Sequence, residues 1–266
     1  MADLRRSTMI TGGEDTVSKS GLHVVVVGHG STRRPHAANS THNLSRRLFD
    51  SNQFNAVHCG FMKQEMKILS LLECLPDGID LEILPHFAAP GAFVSDHLYD
   101  CLERERGRFR SARIHQPLGL HPGIAREIAH KARRYNADDV VIVAHGSSVS
   151  TGPALTAKNL CQSLCGEGIS SHVLFLSNKP HLDDWRSLDL GRNVLVCPIL
   201  AGRGTHLCED VPNAFMLSDI PRAGIPYIVA GHCITFDYPL MDDQLLASLA
   251  LTELRTKQAE PIPRLT

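Results

Sequence analysis

The sequence predicts an α/β protein of two tandem βαβαβαβα lobes, each a doubly wound parallel sheet with helices on both faces. Three observations predict it. Short apolar runs rich in β-branched residues stop abruptly at glycine-flanked loops, strand and helix signals alternate along the chain, and landmarks of the first half return in the second at a nearly fixed distance.

Residues 22–27 form the first run and end in Gly28-His29-Gly30-Ser31, which reads as a buried strand followed by a tight loop. Strands are expected again near 55–61, 81–86 and 112–115, with helices near 36–49, 65–75, 92–105 and 123–135. Residues 140–144 repeat the opening device and end in His145-Gly146-Ser147, so His29 and His145 stand 116 positions apart. Strands near 139–144, 171–176, 193–198 and 226–230 and helices near 152–165, 180–187, 206–216 and 238–256 complete the second half. The loop from Pro85 to Gly91 returns as Pro198 to Gly204, an offset of 113, which supports duplication. The expected organisation is a tail over 1–20, an amino-terminal lobe over 21–135, a carboxy-terminal lobe over 136–256 carrying the active site, and a tail over 257–266.

Composition narrows the function classes. Acidic and basic residues nearly cancel, at a net charge of −1, so a polyanion such as nucleic acid is not the expected partner. No apolar run approaches the roughly 18 residues needed to span a bilayer, and Arg5-Arg6 is not followed by the apolar region of a secretion signal; a soluble cytoplasmic protein is expected. The eight cysteines form no CxxC pairs and read as reduced, mostly buried thiols. Fifteen histidines are the compositional oddity and raise the expectation of metal chemistry.

In parallel α/β sheets ligands sit beyond the carboxyl ends of the strands, where both His-Gly-Ser loops and both Pro-to-Gly loops fall. Small neighbours around His29 and His145 let a ligand approach the imidazoles. The second Pro-to-Gly loop continues Gly204-Thr205-His206-Leu207-Cys208-Glu209-Asp210-Val211-Pro212, placing His206 at a helix start on the rim that holds His145. Two neutral imidazoles facing one cleft suit Co²⁺, Fe²⁺ or Ni²⁺, with Glu209 either adding an oxygen or complementing the helix N-terminus. His232 and His86 are outside candidates, and the remaining histidines read as surface or core residues.

A strand ending in His-Gly-Ser, then Pro-x5-Gly-x-His-x2-Glu-Asp-x-Pro, resembles the sirohydrochlorin chelatases of the CbiX type over about residues 21–250. The resemblance implies a lyase that inserts a divalent metal, as substrate, into a sirohydrochlorin-like tetrapyrrole in cobalamin or sirohaem biosynthesis, with no organic cofactor. It assigns His145 and His206 as catalytic metal ligands, with Glu209 beside them. The first half has Gly91-Ala92-Phe93 where the second has Gly204-Thr205-His206, so the complete pair stands in the second lobe, an arrangement closer to the anaerobic cobaltochelatases and protohaem ferrochelatases. His97, one turn beyond Phe93, points elsewhere. The carboxylates of such a substrate call for cations and hydrogen-bond donors: His29, Ser31, Arg33, Arg34, Ser147, Ser148, Thr151, Arg203 and Gly204 are the candidates, with Arg203 foremost. The expected partner is the tetrapyrrole, with no membrane and no nucleic acid, and the protein a monomer or homodimer.

Other chemistries fit poorly. There is no G-x-S-x-G elbow for a hydrolase, no arginine before His29 or His145 for a phosphohistidine enzyme, and no phosphate-binding glycine loop for a nucleotide. The serious alternative is a non-catalytic metal or tetrapyrrole carrier, or a sensor, on the same fold.

Overall fold

The structure is a computed structural model that describes residues 20–32, 34–63, 67–91, 93–147 and 151–255. Residues 1–19 of the first expected tail, all of the second, Arg33 and Ser148 lie outside the described residues, and Ser20, expected in the first tail, begins a strand. Two sheets are present, each built around a β-branched strand buried on both faces.

In the first, β1 (Ser20–Gly28), β2 (Phe54–Phe61), β3 (Asp80–Pro85) and β4 (Ser111–Ile114) are all parallel in the order β2-β1-β3-β4. Val24 to Val27 of β1 are fully buried, as a central parallel strand requires. Val25 and Val27 pack with residues of α2 (Ile68–Cys74) and α3 (Tyr99–Glu105). Helix α1 (Asn39–Asp50) packs on β1 and β2, burying Leu44 and Leu48 along one stripe.

In the second sheet the order is β6-β5-β7-β9-β8, from β5 (Asp139–Ala144), β6 (Ser171–Phe175), β7 (Asn193–Pro198), β8 (Pro226–Val229) and β9 (His232–Phe236). Val141 and Val143 of β5 join Trp185, Leu207, Val211 of α6 (Val211–Ala214), Phe215 and Phe236 in its core. The strand expected at 226–230 is not the fourth parallel strand. It is β8, an antiparallel edge paired with β9, and β9 supplies the parallel partner of β7. The turn between them needs positive φ at Ala230 and Gly231, a hairpin geometry that a strand ending in a parallel crossover does not have. Register matches between the sheets: Val27 pairs with Pro85, and Val143 with Pro198.

Compact units do not follow the repeat boundary expected at 135/136. Residues up to Leu118, with those from Asp243 onward, form one unit, and Gly119–Asp242 the other. Helix α4 (Pro122–Arg134), which ends the first repeat, therefore packs in the second unit against α5 (Gly152–Gly166), while α7 (Asp243–Arg255) packs on α1 in the first. Asn43 Nδ2 donates to Asp243 Oδ2 at 2.8 Å, and Arg255 donates to Gln53 Oε1 at 2.8 Å, fixing α7 at both ends. No helix among the described residues is long and apolar enough to cross a membrane.

Candidate functional site

Strand order locates the site before any side chain is considered. From β5 the chain winds to one side to make β6 and then crosses to the other to make β7, so the carboxyl ends of β5 and β7 flank the point where winding reverses. Loops on either side of such a point splay apart and leave a crevice. His145 is the first residue after β5, and His206 opens a π-helical segment (His206–Asp210) after β7. A π turn often marks a functional site.

The two imidazoles meet there edge to face, centroids 4.5 Å apart at 88°, with Nε2 of His145 3.0 Å from Nε2 of His206. Each has a partner for its other nitrogen. His145 Nδ1 donates to the carbonyl of Gly146 at 3.0 Å, and His206 Nδ1 donates to Asp210 Oδ2 at 2.6 Å. With the hydrogen of each neutral ring placed on Nδ1, both Nε2 lone pairs face the same point. Facing lone pairs repel unless a proton or a cation lies between them. Two nitrogens each about 2.1 Å from a metal, at an angle of about 90–110°, stand about 3.0–3.4 Å apart, so the pair is spaced for one ion. Both side chains are solvent-accessible.

Backbone geometry of the loop depends on a residue that sequence reading passed over. Gly146 has φ +74°, and a Cβ there would run into Asn178 Oδ1. Asn178 grips the loop through both backbone polar groups of Ser147: Ser147 N donates to its Oδ1 at 2.6 Å, and its Nδ2 donates to Ser147 O at 3.2 Å. The turn-forming stretch Ser177-Asn178-Lys179-Pro180 was the available signal. Asp210 was also passed over in favour of Glu209, although the (i, i+4) spacing from His206 selects it. Among the described residues no three or more His, Cys, Asp or Glu side chains form a group able to hold a metal, so Glu209 does not complete a three-ligand set here.

Other expected residues fall as follows. Gly204 lies in the loop before His206 with open space beside it, and Arg203 is exposed and lines a neighbouring cavity. Thr151 precedes α5 without a side-chain cap bond. In the first unit His29 is exposed and holds the same local geometry as His145, with Nδ1 donating to Gly30 O at 2.8 Å and Gly30 at φ +66°. Ser31 Oγ accepts from Arg34 N at 3.1 Å. Phe93 opens a π-helical segment (Phe93–Leu98) just as His206 does, so the missing imidazole is a substitution in a retained backbone. His86 and His232 are structural: His86 is buried against Thr41 Oγ1 at 3.0 Å, and His232 begins β9, at the end away from the site, with Nδ1 donating to Gly191 O.

Residues 23–135 match the CbiX family model. The resemblance read from the loop motifs is therefore borne out, and the CbiX-like match falls on the repeat that carries Phe93, while the complete histidine pair stands beyond it. The chain is 23% identical to a probable sirohydrochlorin cobaltochelatase of Halobacterium salinarum, covering 86% of this chain and 89% of that one. Among solved structures, the sirohydrochlorin chelatase SirB of Bacillus subtilis, determined with Fe³⁺, shares the fold at a TM-score of 0.68 and 16% identity, over 88% of this chain and 94% of that one. A multi-domain Deinococcus radiodurans protein described as structurally similar to chelatases gives a TM-score of 0.68 at 20% identity over 90% of this chain. This CbiX-like chain spans only 56% of the length of that Deinococcus protein. The two-lobed α/β fold of the chelatases is thus the fold of this protein.

Proposed function

We propose that the protein inserts a divalent metal into a sirohydrochlorin-like tetrapyrrole, using His145 and His206 to deliver the ion. The observation that carries this reading is the pair of Nε2 atoms 3.0 Å apart, each ring anchored through Nδ1. Only two protein ligands hold the ion, which suits a metal that must leave; a resident structural ion is ordinarily closed in by four. Asp210 orients His206 and makes it a stronger donor, as carboxylates behind metal-binding histidines do.

The reaction balances simply. The ion passes from imidazole nitrogen to four pyrrole nitrogens, two pyrrole N–H protons are lost, and the two vacated Nε2 atoms can accept one each. Asp210 stabilises the imidazolium that forms at His206. Ser147, Arg203 and Gly204 lie on the same rim and serve the macrocycle; His29 and Ser31 hold equivalent places in the first unit. Cobalt is the metal we put first, on the name of the Halobacterium relative, against iron, the metal with which SirB was also determined. Imidazole accepts either, so the order rests on the test.

Multiple-turnover metallation of sirohydrochlorin with Co²⁺, Fe²⁺ and Ni²⁺, followed by absorbance, tests the proposal. Turnover above the spontaneous rate, abolished in both His145→Ala and His206→Ala, is expected, with the fastest metal naming the activity. Tight tetrapyrrole binding without turnover would sink the enzyme reading in favour of a carrier.

A further inference from the structure

Within the unit Gly119–Asp242 a cavity of about 790 Å³ opens against the loop that leads to His206, within the usual size range for small-molecule sites. Its charges divide into two groups. Three carboxylates, on Glu127, Asp237 and Asp242, converge on one ammonium, Lys131 Nζ, at 3.6, 2.8 and 3.5 Å. Around the rest of the lining stand the guanidinium groups of Arg134, Arg203 and Arg222, none of which forms an ion pair with a carboxylate among the described residues. Four cations against three carboxylates leave a net charge of +1, which one guest carboxylate neutralises. Arginine presents a planar fork that matches a carboxylate in two hydrogen bonds, which makes these three better clamps than lysines would be.

A second observation also asks for a guest. Asp237 is only 4% exposed, and its Oδ2 is buried with no hydrogen-bond partner among the described residues. A buried acceptor left unmatched is costly, so the site favours a ligand that brings an O–H or N–H donor beside its anionic group. The cavity is also built by the helix exchange. Glu127, Lys131 and Arg134 all come from α4, the helix contributed by the first repeat, whereas at the matching positions of α7 stand Ser248, Thr252 and Arg255. Arg255 is engaged with Gln53, so the first unit has no equivalent set.

We propose that this cavity seats a carboxylate-bearing arm of the tetrapyrrole, with Arg134 and Arg222 as its clamps and Arg203 joining it to the metal-delivering pair. This rests on the tetrapyrrole reading above. Arg203 lies three residues before His206, so one short loop reaches both the edge of the macrocycle, where the arms are, and the ion destined for its centre. Arms held away from the reacting nitrogens position the ring without touching the chemistry.

Absorbance titration of sirohydrochlorin against the full chain and its Arg134→Gln and Arg222→Gln variants tests this, with Co²⁺ binding measured separately in the absence of tetrapyrrole. Both arginines are exposed, so the variants should fold, which their melting temperatures check. Each substitution is expected to weaken sirohydrochlorin about tenfold or more and to raise KM while kcat holds, with Co²⁺ binding unchanged. Unaltered sirohydrochlorin affinity in both variants and in the double variant overturns the inference and leaves the proposed function standing. Should the wild-type protein bind Co²⁺ but not sirohydrochlorin, the proposed substrate fails, and citrate then serves as a free carboxylate probe. Citrate binding that both substitutions abolish keeps the cavity as a carboxylate site for a separate small anion and removes the tetrapyrrole arm from it; absence of citrate binding removes the site altogether.

Discussion

The two units share a backbone and disagree at almost every polar position that matters. Each has a central β-branched strand, a histidine whose Nδ1 is tied to the carbonyl of the next glycine, and a π-helical segment two strands later in the chain. At that segment one unit has Phe93 and the other His206. Beneath the loop, Gly28, Thr41 and His86 in the first unit correspond to Ala144, Ala157 and Ile199 in the second, so a hydroxyl–imidazole pair is replaced by aliphatic packing. Where β1 and β2 bring His23 and His58 together at 3.3 Å, β5 and β6 bring Asp139 and His172 to 3.2 Å. Beyond the last parallel strand, His115 joins Glu253 of α7, while Asp237 joins Lys131 of α4. Two residues that need each other change together, and the strand frame that positions them stays. The lesson is that a loop geometry able to present a histidine outlasts the chemistry it once served or has yet to serve.

The largest expected effect sets the two histidine loops against each other. His145→Ala or His206→Ala should lower metallation about 10³-fold, within the range for a group that handles the reacting proton or ion, whereas His29→Ala should lower it less than about tenfold. Phe93→His sharpens the same contrast: if backbone placement alone makes the pair, it should add a second Co²⁺ site detectable by titration, and unchanged stoichiometry would show that the first unit has lost more than the imidazole.

Acid stability should separate the two strand-crossing pairs. Burial, with His23 beside it, lowers His58 from 6.5 to about 4. The folded protein then binds this proton more weakly than the unfolded chain, so stability present above about pH 6.5 is lost as pH falls toward about 4, by about 3 kcal/mol. Denaturant midpoints across that window should fall in the wild type and flatten in His58→Phe. Asp139 behaves differently: burial pushes its carboxyl up, but hydrogen bonds from Gly191 N, Ser170 and His172 outweigh this and hold it below its ordinary value, so its contribution persists through the same window.

Packing beneath the loops gives a smaller effect. A Cβ on Gly28 would overlap Thr41 Oγ1, and Gly28→Ala should cost about 1–3 kcal/mol, part of it recovered in Gly28→Ala/Thr41→Ala, which reproduces the alanine pair of the second unit. Equal melting temperatures for the single and double variants would count against the overlap. Smallest is the carboxylate contrast: Asp210→Asn should slow metallation about tenfold, and Glu209→Gln less than about twofold, since Asp210 accepts the hydrogen bond from His206 Nδ1. The reverse order would restore Glu209 as a ligand.

By itself the sequence determined the layer architecture, the duplication, the rim on which the loops lie and the two histidines that meet there. Those follow from local signals: β-branched runs need burial on both faces, glycine permits a tight exit, and a repeat displays its own register. Only tertiary structure decided that α4 and α7 exchange units, because an amphipathic helix states that it has a buried face but not whose sheet covers it. The fourth parallel strand was misplaced for a similar reason, since residues 226–229 and 232–236 are both strand-like and only pairing tells edge from neighbour. The grip of Asn178 on the loop and the arginine cavity were equally hidden. Each depends on residues 31 to 115 positions apart arriving at one place, and that distance is closed by the packing of the whole unit.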